Sequence, residues 1–171
     1  LGTIRPHQVP NKELIVVQNR LDAAKAYVRA NGLYRVIGGG AGARMGLICA
    51  GKTYYDVIQA FTDLGIAPCD LEQAGVRILK LAMTWPLVDA TALEFAASAE
   101  ELLVIEEKRP FVETQLRAIL HEAGVTTRVL GKRDREGKPL VANVGELNSD
   151  AVLAVLTRVL PDLAERRAAP I

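Results

Sequence analysis

Cysteine and histidine are scarce in this chain, with two of each in 171 residues. Cys49 and Cys69 lie too far apart for a C-x-x-C pair, and His7 and His121 are isolated from both. No metal or iron–sulfur site can be assembled from recognisable spacing. Cys49 sits in an apolar run, where cysteine behaves as a small buried hydrophobe. An excess of one charge is also lacking. The 21 Lys and Arg nearly balance the 20 Asp and Glu, for a net charge of +1. That excludes a dedicated nucleic-acid binder, which needs a basic face to neutralise phosphates. No apolar run approaches the roughly 20 residues that span a bilayer, and no signal-peptide pattern is present. A cytoplasmic protein without a membrane partner is therefore expected. Internal repeats and low-complexity segments are missing too.

What remains is an ordinary globular composition, 50% hydrophobic and 24% charged, at a length suited to one core. The chain opens Leu1-Gly2-Thr3 without Met and closes on Ala168-Ala169-Pro170-Ile171, ends expected of a segment of a longer product. Residues 1–18 read as an irregular lead-in, 19–163 as a single domain and 164–171 as a tail.

Within the domain, strands alternate with amphipathic helices. Asn19 with Asp22 gives a capping signature for a helix carrying Leu21, Ala24, Tyr27 and Val28. Arg35 to Ile37 suits an edge strand, followed by the run Gly38-Gly39-Gly40-Ala41-Gly42. Met45 to Ala50, Val76 to Ala82, Leu102 to Ile105 and Thr126 to Leu130 read as strands. Between them, Thr53 with Asp56, Asp89 and Pro110 mark helix starts, and Ser149 caps a last helix that stops at Pro161. Gly131 to Pro139 reads as a solvated hairpin in which Lys132, Arg133, Arg135 and Lys138 are balanced by Asp134 and Glu136. This pattern predicts a three-layer αβα domain around a mostly parallel sheet of about five strands.

Two phosphate-binding patterns occur. Gly46-Leu47-Ile48-Cys49-Ala50-Gly51-Lys52-Thr53 fits G-x-x-x-x-G-K-S/T, and Glu106 ends an apolar strand as an Mg²⁺-assisting carboxylate would. An independent nucleotide-binding enzyme using Gly46 to Thr53 is thus one reading. A P-loop, however, needs its variable positions to form a loop whose N–H groups face phosphate. Leu, Ile, Cys and Ala instead continue a strand. Gly38, Gly40 and Ala43 match the relaxed dinucleotide fingerprint but lead into another strand rather than a helix.

A topological signal survives. Gly51-Lys52-Thr53, Met83-Thr84-Trp85-Pro86 and Glu106-Glu107-Lys108-Arg109 each follow a strand, so the three turns should share the carboxyl edge of the sheet. Lys52, Thr53, Trp85, Lys108 and Arg109 are the candidates for an interface or for binding an anion. Trp85 is expected to be exposed. His121 is expected near solvent without a role.

The same turns carry a resemblance. Arg44-Met45-Gly46-Leu47-Ile48-Cys49-Ala50-Gly51-Lys52-Thr53-Tyr54-Tyr55-Asp56-Val57 resembles a stretch of the indolepyruvate ferredoxin oxidoreductases, within the 2-oxoacid:ferredoxin oxidoreductase family. Leu79-Lys80-Leu81-Ala82-Met83-Thr84-Trp85-Pro86-Leu87, Glu101-Leu102-Leu103-Val104-Ile105-Glu106-Glu107-Lys108-Arg109 and Gly131-Lys132-Arg133-Asp134 are similar to further segments of that family, in the same order from about residue 20 to 160. Cys49 departs from the family's usual Thr or Val. The resemblance implies a transketolase C-terminal-like domain between the pyrimidine-binding and pyrophosphate-binding domains of a large enzyme. For that complete enzyme it implies thiamine diphosphate, Mg²⁺ and 4Fe-4S clusters, and oxidative decarboxylation of a 2-oxoacid to acyl-CoA. It further implies CoA and ferredoxin as partners, and a homodimer. The family's catalytic glutamate, Mg²⁺ motif and cluster cysteines have no counterpart here, so this segment is expected to be non-catalytic, to hold no cofactor or metal, and to contact other domains of its polypeptide.

Overall fold

The computed structural model describes residues 9–168. Helix α1 (Val9–Ile15) continues through a π-helical turn at Val16–Arg20 into α2 (Leu21–Ala30). Residues 9–18 are therefore helical, which corrects the irregular lead-in expected there; residues 1–8 lie outside the described part. Asn19 caps nothing, because the helix passes through it. The consecutive apolar residues Leu14 to Val17 carry no amphipathic spacing that would have marked the helix, and all four are exposed.

The chain then alternates: β1 (Arg35–Ile37), β2 (Ala43–Ala50), α3 (Gly51–Asp63), a 3₁₀ turn at Pro68–Asp70, β3 (Val76–Leu81), α4 (Asp89–Ala96), β4 (Ala99–Val104), α5 (Val112–Glu122), β5 (Arg128–Leu130), α6 (Ser149–Val159) and α7 (Pro161–Ala168). The tail expected from residue 164 is thus helical as far as 168, with Leu163 fully buried as its anchor. Strand order is β1-β3-β2-β4-β5; β1 is antiparallel and the other pairings are parallel.

Period-two alternation in β2 divides the core. Met45, Leu47 and Cys49 face Val57, Phe61, Val152 and Leu156 of α3 and α6, while Ile48 faces Phe95 and Leu116 of α4 and α5. Helix α2 is tied to α4 by Lys25–Asp89 at 3.1 Å and Arg29–Glu94 at 2.6 Å. The result is the three-layer α/β class expected from the sequence. Gly46 is required by this packing. A Cβ there would lie 2.8 Å from Leu102 Cδ2 and 2.9 Å from Phe95 Cε1, so α4 can approach β2 only over a bare backbone.

Several expected caps move. Helix α3 starts at Gly51, whose φ of +53° turns the strand directly into the helix, so Thr53 and Asp56 lie inside it. Asp89 is the first residue of α4 rather than its cap, and its carboxylate goes to Lys25. Asn148, not Ser149, caps α6 by accepting the Ala151 N–H. Helix α5 begins at Val112, beyond Pro110.

Candidate functional site: a cleft at the carboxyl edge of the sheet

Parallel β2, β3 and β4 deliver their carboxyl ends to one edge, so the three turns singled out in the sequence lie together. Between β2 and β4 the helices that follow leave on opposite faces, and the crevice at such a reversal is where open α/β sheets receive ligands. A cleft of about 330 Å³ opens there. Its floor is Ile48, Cys49, Ala50, Val104 and Ile105, and its rim includes Lys52, Thr84, Glu106 and Phe111.

The P-loop arrangement is absent. Leu47 and Ile48 pair with Ile78 and Leu79 of β3 on one side and with Leu103 and Val104 of β4 on the other. The Ile48 carbonyl also accepts the Ile105 N–H at 2.9 Å. These positions belong to the ladder and cannot form a loop around phosphate.

The cleft's charged groups are bound internally. Lys52 Nζ donates to Asp56 at 3.0 Å and to the Leu147 carbonyl at 3.0 Å, with Glu146 3.6 Å away. The bond to Asp56, with the nearby carboxylates, holds its pKa above the usual lysine value. Thr53 is buried in the first turn of α3. Glu106 accepts the N–H groups of Val112 and Glu113 at 2.8 and 3.0 Å, capping α5 from six residues upstream. The opposite charge at a helix N-terminus is favourable, and these donors would otherwise be orphaned. Glu107 accepts the Leu147 N–H at 3.1 Å.

Beneath this loop Lys132 is buried, which corrects its placement in a solvated hairpin; the hairpin itself is present, closed by the Arg133–Pro139 bridge. Its ammonium donates to the carbonyls of Glu106 and Ala142, and its N–H donates to Glu113. Burial pushes its pKa below the ordinary value, against the pull of Glu106, Glu113 and Glu107. Gly131 has no room for a Cβ because the Glu113 carboxylate lies against it.

Trp85, Lys108 and Arg109 remain exposed. Of the five sequence candidates, Thr53 is buried in α3 and Lys52, though exposed, is bonded to Asp56 and the Leu147 carbonyl, while Trp85, Lys108 and Arg109 face outward. Glu106, Glu107, Gln115 and Lys132 shape this edge yet were not singled out as site residues. A cap arriving from six residues upstream follows no local spacing rule.

The family model of the indolepyruvate oxidoreductase domain matches residues 35–169. The chain belongs to this family. The match begins at β1 and takes in the whole sheet with α3 to α7. Among curated relatives, the indolepyruvate oxidoreductase subunit IorA of Methanothermobacter thermautotrophicus is 29% identical over 102 residues, 60% of this chain and 15% of that protein. That of Pyrococcus abyssi is 26% identical over 130 residues, 76% of this chain and 18% of that protein. The chain thus spans less than a fifth of these oxidoreductase subunits. A solved split-gene transketolase, an inactive beta4 tetramer, superposes with a TM-score of 0.50 over 74% of this chain and 41% of that one, at 16% identity, a likeness of fold alone.

The described residues of this indolepyruvate oxidoreductase domain do not fit the cofactors implied for a complete enzyme. No three His, Cys, Asp or Glu gather as for a metal ion. Cys49 is buried, its thiol pushed up to about 12 chiefly by desolvation, and Cys69 is exposed elsewhere. A diphosphate would find Lys52 neutralised and the α5 amides already taken by Glu106. Among the described residues no helix is long and apolar enough to cross a membrane.

Proposed function

We propose that this chain is a non-catalytic, architectural domain, residues 19–163, of a thiamine diphosphate-dependent indolepyruvate or related 2-oxoacid ferredoxin oxidoreductase. In this reading the complete enzyme converts a 2-oxoacid to acyl-CoA in the cytoplasm and passes electrons to ferredoxin. This segment holds neighbouring domains in register and supports a homodimer. One observation carries the reading: the carboxyl edge satisfies its own acids, amides and Lys52 internally, while exposing an aromatic and two cations. A reacting centre needs groups left available to substrate, and a docking face needs anchors.

Calorimetric titration of the chain with thiamine diphosphate and Mg²⁺ tests it. No saturable heat is expected from the chain, and turnover of a 2-oxoacid is expected only from the full-length protein. A micromolar thiamine diphosphate site on the chain itself would overturn the assignment.

A further inference from the structure

We propose that Lys108 and Arg109, flanked by Trp85 and Phe111, recognise a carboxylate-bearing face of another domain of the same polypeptide. The proposal rests on the architectural reading and supplies its partner chemistry.

The loop that follows β4 sorts its charges. Glu106, half-buried, accepts the N–H groups of Val112 and Glu113, and Glu107, exposed, accepts the N–H of Leu147. Lys108 and Arg109 turn outward, with no hydrogen bond or ion pair among the described residues, although Lys52, Arg117 and Lys132 nearby are all engaged. Lys108 has φ of +55°, a left-handed conformation that disfavours a side chain such as lysine. The loop stays in it because Lys132 grips the Glu106 carbonyl from below and the Glu106 side chain is fixed on α5. Strain sustained by surrounding structure points to function.

Two aromatics stand on the same edge, Trp85 at 53% and Phe111 at 52% exposure. Gln115 ties together the backbone on which they stand. Its Nε2 donates to the Thr84 carbonyl at 2.9 Å and the Phe111 carbonyl at 3.1 Å, and its Oε1 accepts the Leu87 N–H at 3.1 Å. Tyr34 Oη fixes the Met83 carbonyl at 2.8 Å. Exposed aromatics beside an arginine have the composition of an interface hot spot, and guanidinium favours carboxylate in bidentate geometry.

The occupant follows from charge and length. A second copy meeting this face through itself would oppose Lys108 and Arg109 to their own like charges, with Glu106 held on α5 and Glu107 bonded to the Leu147 N–H. The curated relatives hold more than four-fifths of their length outside this segment, which supplies further domains.

Zero-length carbodiimide cross-linking of the full-length protein, on a mixture of unlabelled and isotope-labelled chains, tests the proposal. Lys108 is expected to join an Asp or Glu outside residues 1–171, within one isotopic species. The yield should fall several-fold in Arg109→Glu and in Trp85→Ala, with unchanged unfolding midpoints. Absence of that cross-link, or a cross-link only within this chain or only between labelled and unlabelled copies, would overturn it. Failure of the parent reading shows separately, as full-length protein that turns over no 2-oxoacid whatever Lys108 joins.

Discussion

The Lys132 ammonium lies 2.5 Å from the carbonyl oxygen of Glu106, 26 residues earlier in the chain. This bond and its companion to Ala142 bind the hairpin to the end of β4. Lys132→Met keeps the apolar stem and leaves two carbonyls without their donor. A loss of about 1–3 kcal/mol is expected, the cost of unsatisfied buried acceptors. Urea unfolding measures it, and an unchanged midpoint would show that the bonds merely balance the cost of burying the charge.

Replacing Glu106 uncaps α5. Glu106→Ala is expected to cost about 1 kcal/mol, the usual worth of a cap, and Glu106→Gln less, because an amide oxygen still accepts one N–H. Thermal midpoints should rank wild type, Gln, Ala. Equal midpoints for Gln and Ala would place the contribution in the charge alone.

Gly46→Ala tests the close contact of α4 with β2. Its Cβ meets Phe95 and Leu102, so overpacking of about 1–3 kcal/mol is expected. Phe95→Leu should partly relieve it, giving a double-mutant cycle with positive coupling. Additive losses would locate the strain elsewhere.

The two thiols should differ sharply. Native protein is expected to react with a thiol reagent at Cys69 alone, and unfolded protein at both. The raised pKa of Cys49 also has a stability consequence. Its unfolded thiol ionises near 9.0 and its folded thiol near 12. Below the unfolded value both states are protonated and the full contribution is present; between the two values it is lost, because only the unfolded state gives up the proton. Relative to Cys49→Ala, wild-type stability should fall by up to about 1.4 kcal/mol per pH unit across that window. Parallel pH profiles for the two proteins would refute the assignment.

Lys52 is engaged with Asp56, Leu147 and Glu146. Mg-ATP titration should give no saturable binding, and Lys52→Ala should leave the unfolding midpoint nearly unchanged. Nucleotide binding abolished by that substitution would restore the P-loop reading.

Much of the architecture is written in local patterns. Short apolar runs such as Met45 to Ala50 and stripes such as Val152, Val155, Leu156 and Val159 mark strands and helices because burial imposes their periods. The shared edge of the three turns follows from parallel pairing alone. Element ends were less legible. Gly51 starts α3 through its backbone conformation, and the α5 cap comes from Glu106, so neither start has a cap residue next to it. Lys132 misled because a charged residue in a charged loop reads as solvated, and only the tertiary carbonyls around it show otherwise. The site was half legible: the exposure of Trp85 could be anticipated, whereas Glu106 caps α5 at a spacing of six residues and Glu107 bonds to the N–H of Leu147, 40 residues on, and neither follows a local rule.

Both flanks of the sheet end in strands of three residues, β1 and β5. Each begins with an exposed arginine, Arg35 or Arg128. A flank so short and charged offers little template for another strand, whereas the longer β2, β3 and β4 are enclosed on both sides. The domain is therefore protected from growing by strand addition, either onto itself or onto a partner. Associations through side chains on helices and turns are then expected, and the docking of neighbouring domains proposed above would not compete for its backbone.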